Sequence, residues 1–256
     1  MLRPDAWWSA WLASLVSPGV MTADDARSAA FATRAAEIGD DDHATVRAFR
    51  IATGDEATPL PTWESAPLTL PHSEPAADDA GWLLRRHHVS NHYAVIHPGS
   101  GAAIKEWPVQ RWTAVIDDLS RDGLHIVLTG SPAEADACAE IAARSAHSTS
   151  LAAQTDVPIL AEVLRGASIV LGPDCGPLHL AVATGTPTVH LFGPSDPRRY
   201  GPWGDPRRHR VVRADWRCPR CGDLSPQRPA GCGCMLAISS RDVANAARSV
   251  LTHHAV

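Results

Sequence analysis

Lysine is almost missing from this sequence. Its 256 residues include 23 lysines and arginines, and Lys105 is the single lysine among them. The bias toward Arg, with abundant Ala, Asp and Pro, reads as the coding habit of a GC-rich genome. It also makes the one ammonium group a residue to explain, because arginine fills every other cationic position. An excess of basic charge is absent too: the net charge is −5. That excludes a general nucleic-acid binder, which needs a basic face to neutralise phosphates. No apolar run approaches the ~20 residues of a membrane-spanning helix. Residues 6–16 (AWWSAWLASLV) are apolar but short, and Trp7, Trp8, Trp11, Leu12 and Leu15 fall at helical spacing, as in a helix packed on a domain. Asp5 stands where the positive region of a signal peptide belongs. A cytoplasmic protein is expected, with peripheral membrane contact at most. Hydrophobic residues make up 45% of the chain, enough for a sizeable core.

Residues 1–90 carry weak signals. Residues 23–38 (ADDARSAAFATRAAEI) and 43–53 read as helices. Residues 59–75 (PLPTWESAPLTLPHSEP) read as an extended linker, and 78–88 as a helix. From residue 91 the pattern sharpens. Short β-branched runs at 93–97, 125–129, 168–171 and 188–192 alternate with helical periodicity at 109–122, 133–146, 157–166, 178–184 and 240–251. Gly- and Pro-rich turns follow the strands. Such alternation predicts an α/β fold with βαβ units and a parallel sheet. Ligands bind such sheets beyond the carboxyl ends of the strands, where these turns lie.

Two turns carry the chemistry. In HPGSGAAIKEW (97–107) a strand ends in glycines that let backbone N–H groups approach an anion. Ser100 adds a hydroxyl and Lys105 a full positive charge. The spacing matches neither a Walker A loop nor a dinucleotide fingerprint. In GPDCGPLHLA (172–181) a buried strand runs into Asp174, read as a helix N-cap. Gly176 then allows a ligand close to the helix N-terminus, where unsatisfied N–H groups favour phosphate, and His179 lies in the first turn. Four cysteines cluster as Cys218-x-x-Cys221 and Cys232-x-Cys234. That grouping admits a structural zinc or a loop of reduced thiols; no metal is assigned.

Taken in order, Pro98-Gly99-Ser100, Lys105-x-Trp107-Pro108, the Gly130 to Glu134 turn, Asp174-x-Gly176-x-x-His179-Leu180-Ala181, Gly185-Thr186-Pro187 and Leu191-Phe192-Gly193-Pro194-Ser195 form one pattern. It resembles that of glycosyltransferase family 9, the heptosyltransferases, from about residue 90 onward. The resemblance implies a GT-B architecture with a complete Rossmann-like C-terminal domain at 91–256. Residues 1–90 would be an incomplete acceptor-side domain and linker. It also implies transfer of a sugar from a nucleoside diphosphate donor, such as ADP-heptose, to a glycan or lipid-linked acceptor, as in lipopolysaccharide biosynthesis, with no cofactor. Ser100 and Lys105 would contact the diphosphate, Glu134 the ribose hydroxyls, and Asp174, Cys175, Gly176 and His179 the phosphate and sugar side. The sequence departs from the family pattern twice. Cys175 replaces a Ser or Thr, which removes a hydroxyl donor. No Gly-rich strand followed by a base Asp is found in residues 1–90: the aspartates at 5, 24, 25 and 40–42 fall in helical or polar settings. The catalytic base is therefore unassigned, and a truncated transferase or a degenerate nucleotide-sugar binder are both consistent with the residues. A sugar-nucleotide epimerase fits the K-x-W-P and D-x-G-x-x-H-L-A pair less well.

Overall fold

The computed structural model describes residues 21–23, 34–36, 39, 42–53, 59–215 and 229–254. The apolar run at 6–16, together with Cys218 and Cys221, lies outside them. By contact the chain divides into two compact units, Met1–Ala66 with Arg198–Tyr200, and Pro67–Pro197 with Gly201–Val256.

In the first unit, strands β1 (Met21–Ala23) and β2 (Arg34–Ala36) pair in parallel, and helix α1 spans Ala44–Thr53. The helix expected at 23–38 is therefore corrected at its ends. Alanine favours helix, but propensity is a weak determinant, and pairing between strands overrides it here. Asp24 and Asp25, read as lying in helical or polar settings, fall outside the described residues.

The second unit is a doubly wound sheet. Its strands are β3 (Tyr93–Ile96), β4 (His125–Leu128), β5 (Ser148–Ser150), β6 (Ile169–Pro173), β7 (Thr188–Phe192) and β8 (His209–Arg213), in spatial order β5-β4-β3-β6-β7-β8. Every pairing is parallel. The helices are α2 (Glu74–Arg86), α3 (Val109–Arg121), α4 (Ala135–Ala143), α5 (Val157–Arg165), α6 (Gly176–Ala183), the short α7 (Gly233–Ala237) and α8 (Ser240–His254). The two-residue period of β3 divides its side chains between two cores. Ala94 and Ile96 join Trp112, Ile116 and Leu119 of α3 and Val243 and Ala247 of α8. Tyr93 and Val95 join Leu83 of α2, Val163 and Leu164 of α5 and Leu178 of α6. Trp112, Val115, Ile116 and Leu119 repeat at helical spacing and are fully buried, each worth roughly 1.5–3 kcal/mol of transfer free energy. Among the described residues no helix is long and apolar enough to cross a membrane.

Two helices start earlier than the sequence suggested. α2 begins at Glu74, with proline in its first turn where a missing N–H does no harm. α6 begins at Gly176, again with proline in its first turn. The edge strands β5 and β8 went unread. β5 is a polar Ser-Thr-Ser run, half-buried throughout, so it shows no apolar signature.

A buried carboxylate fixes the end of the Pro-rich segment on this unit. Glu162 on α5 accepts hydrogen bonds from Arg165 Nε (3.0 Å) and the Ser73 N–H (3.1 Å), and its other close partner is His72 Nδ1 (2.9 Å). Arg165 in turn donates to the carbonyls of Leu70, Pro71 and Thr184, while the Leu70 N–H donates to Ala183 O at 2.8 Å. Burial alone would raise the Glu162 pKa; the bonds from Ser73, His72 and Arg165 outweigh it and hold the carboxyl below its ordinary value. A lowered folded pKa means that the carboxylate's contribution is complete above the unfolded value and is lost as pH falls through the folded one. Glu162→Ala is expected to lower stability by about 2 kcal/mol, read as a lower urea midpoint at neutral pH. The gap to the parent narrows in acid; a gap constant down to strongly acidic pH would show that the carboxylate's charge does not matter.

Candidate active site at the switch point of the sheet

From β3 the chain runs outward to β4 and β5, then returns to β6 on β3's other side. The carboxyl ends of β3 and β6 therefore diverge into a crevice, the switch point where doubly wound sheets hold ligands. The β3 exit becomes a one-turn 3-10 helix, Ala103–Lys105. Its Ile104 is buried, as is Trp107, which stacks edge-on against Trp112 at 4.7 Å. Lys105 is thus held between two apolar anchors. Pro108, at the N-cap position of α3, ends the loop. The K-x-W-P spacing amounts to an anchor, a helix start and an ammonium aimed back over the sheet.

That ammonium meets the β6 exit. Lys105 Nζ lies 3.0 Å from Asp174 Oδ2 and 3.0 Å from the Asp174 backbone O. His179 Nε2 is 3.5 Å from Asp174 Oδ1. Burial, the largest influence on Asp174, pushes its pKa up. His179, Lys105 and the nearby Ser195 overcome burial and bring it down to about 2. The expectation that Asp174 is the helix N-cap is corrected. Cys175 occupies the cap position, with no side-chain cap bond, and the Asp174 carboxylate turns instead to Lys105 and His179. Lys105 offers the carboxylate a full positive charge at 3.0 Å, where the backbone N–H groups offer only partial ones. Cys175 is buried, and burial pushes its thiol up to about 12, so it stays protonated and unreactive. Nothing lies within 4 Å of the position a Cβ would take on Gly176, so the space before α6 is open.

Next to this pair is a cleft of about 600 Å³. Its walls include His97, Ser100, Glu106, Glu134, Cys175 and Gly176, with Thr155, Asp156, Val157 and Leu160 on the β5 side. The Ser100 hydroxyl is already engaged, donating to Ala102 O at 2.6 Å. Glu134 forms a capping box with Ser131, accepting from the Ser131 N–H through Oε2 at 2.7 Å. The rest of its carboxylate lies over Gly99. His97 is buried; its Nδ1 sits 3.1 Å from Thr129 Oγ1 and its Nε2 3.8 Å from Glu134 Oε2. Burial lowers the His97 pKa, and the Glu134 charge opposes that only in part. Behind His179 stands His190, 5.7 Å away ring to ring and fully buried, which keeps its imidazole neutral.

Of the residues singled out from sequence, Lys105, Asp174 and His179 form one bonded group. Ser100, Glu134, Cys175 and Gly176 line the adjoining cleft. His97, Glu106 and Ser195 belong to the same surroundings and were not singled out. Among the described residues no cluster of His, Cys, Asp and Glu has metal-binding geometry. Cys232 and Cys234 are both buried.

Comparison with known proteins bears on the family and the fold. The sequence model of glycosyltransferase family 9 (heptosyltransferase) matches residues 1–226, so the likeness extends upstream of the motif-bearing part. The chain is 36% identical to lipopolysaccharide heptosyltransferase 3 of Escherichia coli K12 over 119 residues, 45% of this chain and 35% of that protein. It is 31% identical to lipopolysaccharide heptosyltransferase 1 of Salmonella typhimurium LT2 over 116 residues, 45% of this chain and 37% of that one. The matched region thus spans little more than a third of these relatives. In fold the chain is similar to E. coli ADP-heptose LPS heptosyltransferase II (TM-score 0.75, 19% identity, 98% of this chain and 75% of that one). It is also similar to a family 9 glycosyltransferase from Veillonella parvula (TM-score 0.77, 20% identity, 98% and 72%). The α/β fold is thus that of the GT-B heptosyltransferases, and with a family match across most of its length the chain belongs to glycosyltransferase family 9.

Proposed function

We propose that the cleft binds a nucleoside diphosphate sugar and that the chain takes part in transferring the sugar to a hydroxyl of a glycan or lipid-linked acceptor; its relatives are named as lipopolysaccharide heptosyltransferases, one of them as an ADP-heptose enzyme. One observation carries this reading: the sole lysine and the β6 exit meet within 3.0 Å at the switch point. Breaking the bond between sugar and diphosphate leaves negative charge on the departing phosphate. Lys105 and the open N-terminus of α6 are preorganised donors for that charge. In this reading Ser100 joins Lys105 at the diphosphate, Glu134 accepts a ribose hydroxyl, and Cys175 and Gly176 line the phosphate side through their backbone. Asp174 orients both Lys105 and His179. The proposal assigns no catalytic base, and no described residue of the cleft is given that role. A cytoplasmic location, with peripheral contact to a membrane that carries the acceptor, belongs to the same proposal.

The test is a thermal-shift panel of nucleoside diphosphates and their sugars, since a ligand that binds only the folded state raises the melting temperature by mass action. ADP or ADP-sugars are expected to give a saturable rise of several degrees. No shift from any nucleoside diphosphate would end the reading. Binding without donor hydrolysis or transfer would make the chain a nucleotide-sugar-binding protein instead.

A further inference from the structure

Glu106 is the one side chain of the K-x-W-P segment that the fold has not used. The residues on either side are fixed: Lys105 is bonded to Asp174, and Trp107 is buried against Trp112. The backbone at Glu106 is extended, with φ −69° and ψ 142°. Between two anchored neighbours the carboxylate faces the cleft that Glu134 lines. Among the described residues it has no hydrogen-bond partner. Burial and the Glu134 charge together raise its pKa. Two carboxylates crowded into one cleft without a cation between them gain most from a ligand that brings hydroxyl donors to both. Glu134 has one oxygen, Oε2, already bound to the Ser131 N–H. That leaves Oε1 as its readier acceptor, enough for one hydroxyl.

We propose that Glu106 is a specificity-determining residue of this cleft, accepting a hydrogen bond from one of the two ribose hydroxyls of a bound nucleoside diphosphate while Glu134 accepts from the other. This rests on the donor-site reading above. It adds that the site selects ribonucleotides through two carboxylates drawn from different loops, those after β3 and β4. Both carboxylates are half-buried, and a bound nucleotide would cover them further; an acceptor covered but left unpaired is costly, so a nucleotide that lacks either hydroxyl is rejected beyond the loss of one bond.

The test uses the whole chain and calorimetric titration with ADP, 2′-deoxy-ADP and 3′-deoxy-ADP. The parent is expected to bind each deoxy analogue about tenfold or more weakly than ADP. Glu106→Ala is expected to abolish discrimination against one analogue and leave discrimination against the other intact. Glu106→Gln, which keeps the side-chain volume and removes the charge, lowers the same ratio several-fold. A merely structural role would weaken all three ligands alike, and that result overturns the proposal. So does a pair of unchanged ratios in Glu106→Ala while Lys105→Ala still destroys ADP binding; the donor site then stands without Glu106. Absence of ADP binding in the parent, or ADP binding untouched by Lys105→Ala, removes the donor site and this proposal together.

Discussion

Lys105→Ala is expected to weaken ADP binding by on the order of 100-fold or more, and so to erase the thermal shift ADP gives the parent. The magnitude follows from removing a partly buried cation that would face a diphosphate, a truncation worth about 2–5 kcal/mol. No second lysine exists in the chain to replace it. The same substitution strands Asp174, a carboxylate 6% exposed, with His179 and Ser195 as its remaining side-chain partners. A cost of about 2 kcal/mol is expected, lowering the melting temperature by roughly 4–8 °C. Two effects of one substitution must therefore be separated. Lys105→Ala combined with Asp174→Asn removes both charges, and should regain most of the stability without regaining ADP. A double variant that binds ADP like the parent would show that the lysine holds the loop and not the ligand. The pH dependence of the parent has a definite sign. The folded pKa of Asp174 is about 2 against an ordinary value of 3.8. Its contribution is complete above 3.8 and is lost as pH falls from there toward 2.

The Lys105–Asp174 pair also bears on how a diphosphate would be held. Asp174 already neutralises Lys105, and Glu134 and Glu106 add negative charge to the same cleft. Under the proposed function a diphosphate would bind by drawing the ammonium into a shared position between Asp174 and phosphate. Asp174 is then best read as an orienting group. It costs some of the attraction of Lys105 for the ligand and in return holds a four-carbon side chain in place, which reduces the entropy lost on binding.

Much of this was legible in the sequence, and the reasons it stops are physical. β3, β4, β6 and β7 are apolar runs because both faces of a central parallel strand are buried. The turn after each was recognisable from glycine and proline. The meeting of the Lys105 loop with the β6 exit also followed from the sequence, since ligand loops of such a fold converge at the switch point. The bond from Lys105 to Asp174 did not. It joins residues 69 apart, and local rules favour an aspartate before a helix as its cap. Glu106 went unread for a similar reason. It occupies the unspecified position of K-x-W-P, and only the fixing of its neighbours turns it to the cleft. β5 and β8 lie at the sheet edges, where half-exposed strands have no need of apolar residues.

Two glycines test whether the cleft and the sheet beneath it can be separated experimentally. A Cβ on Gly99 would overlap the Glu134 carboxylate. The obstacle is the far end of a flexible side chain, so Gly99→Ala should fold. Its expected cost is about 1 kcal/mol, from disturbing the Ser131–Glu134 capping box. With Glu134 displaced, ADP affinity should fall about tenfold, the worth of one charge-assisted hydroxyl bond. A Cβ on Gly172, in β6, would lie 2.6 Å from the His97 carbonyl oxygen and 2.5 Å from Leu178 Cδ2. The His97 N–H donates to Leu171 O at 2.9 Å, so that carbonyl belongs to the β3–β6 seam and cannot retreat without parting the strands. Gly172→Ala should therefore cost about 3 kcal/mol or more in stability, as overpacking against backbone does. Urea midpoints and ADP titrations of the two variants make the comparison. Added methyl groups in the loop after β3 and within β6 should thus give opposite signatures, ligand loss at one and fold loss at the other. Undiminished ADP affinity in Gly99→Ala would mean that Glu134 does not touch the nucleotide. The ribose would then have to be sought on the β5 side of the cleft, near Thr155 and Asp156.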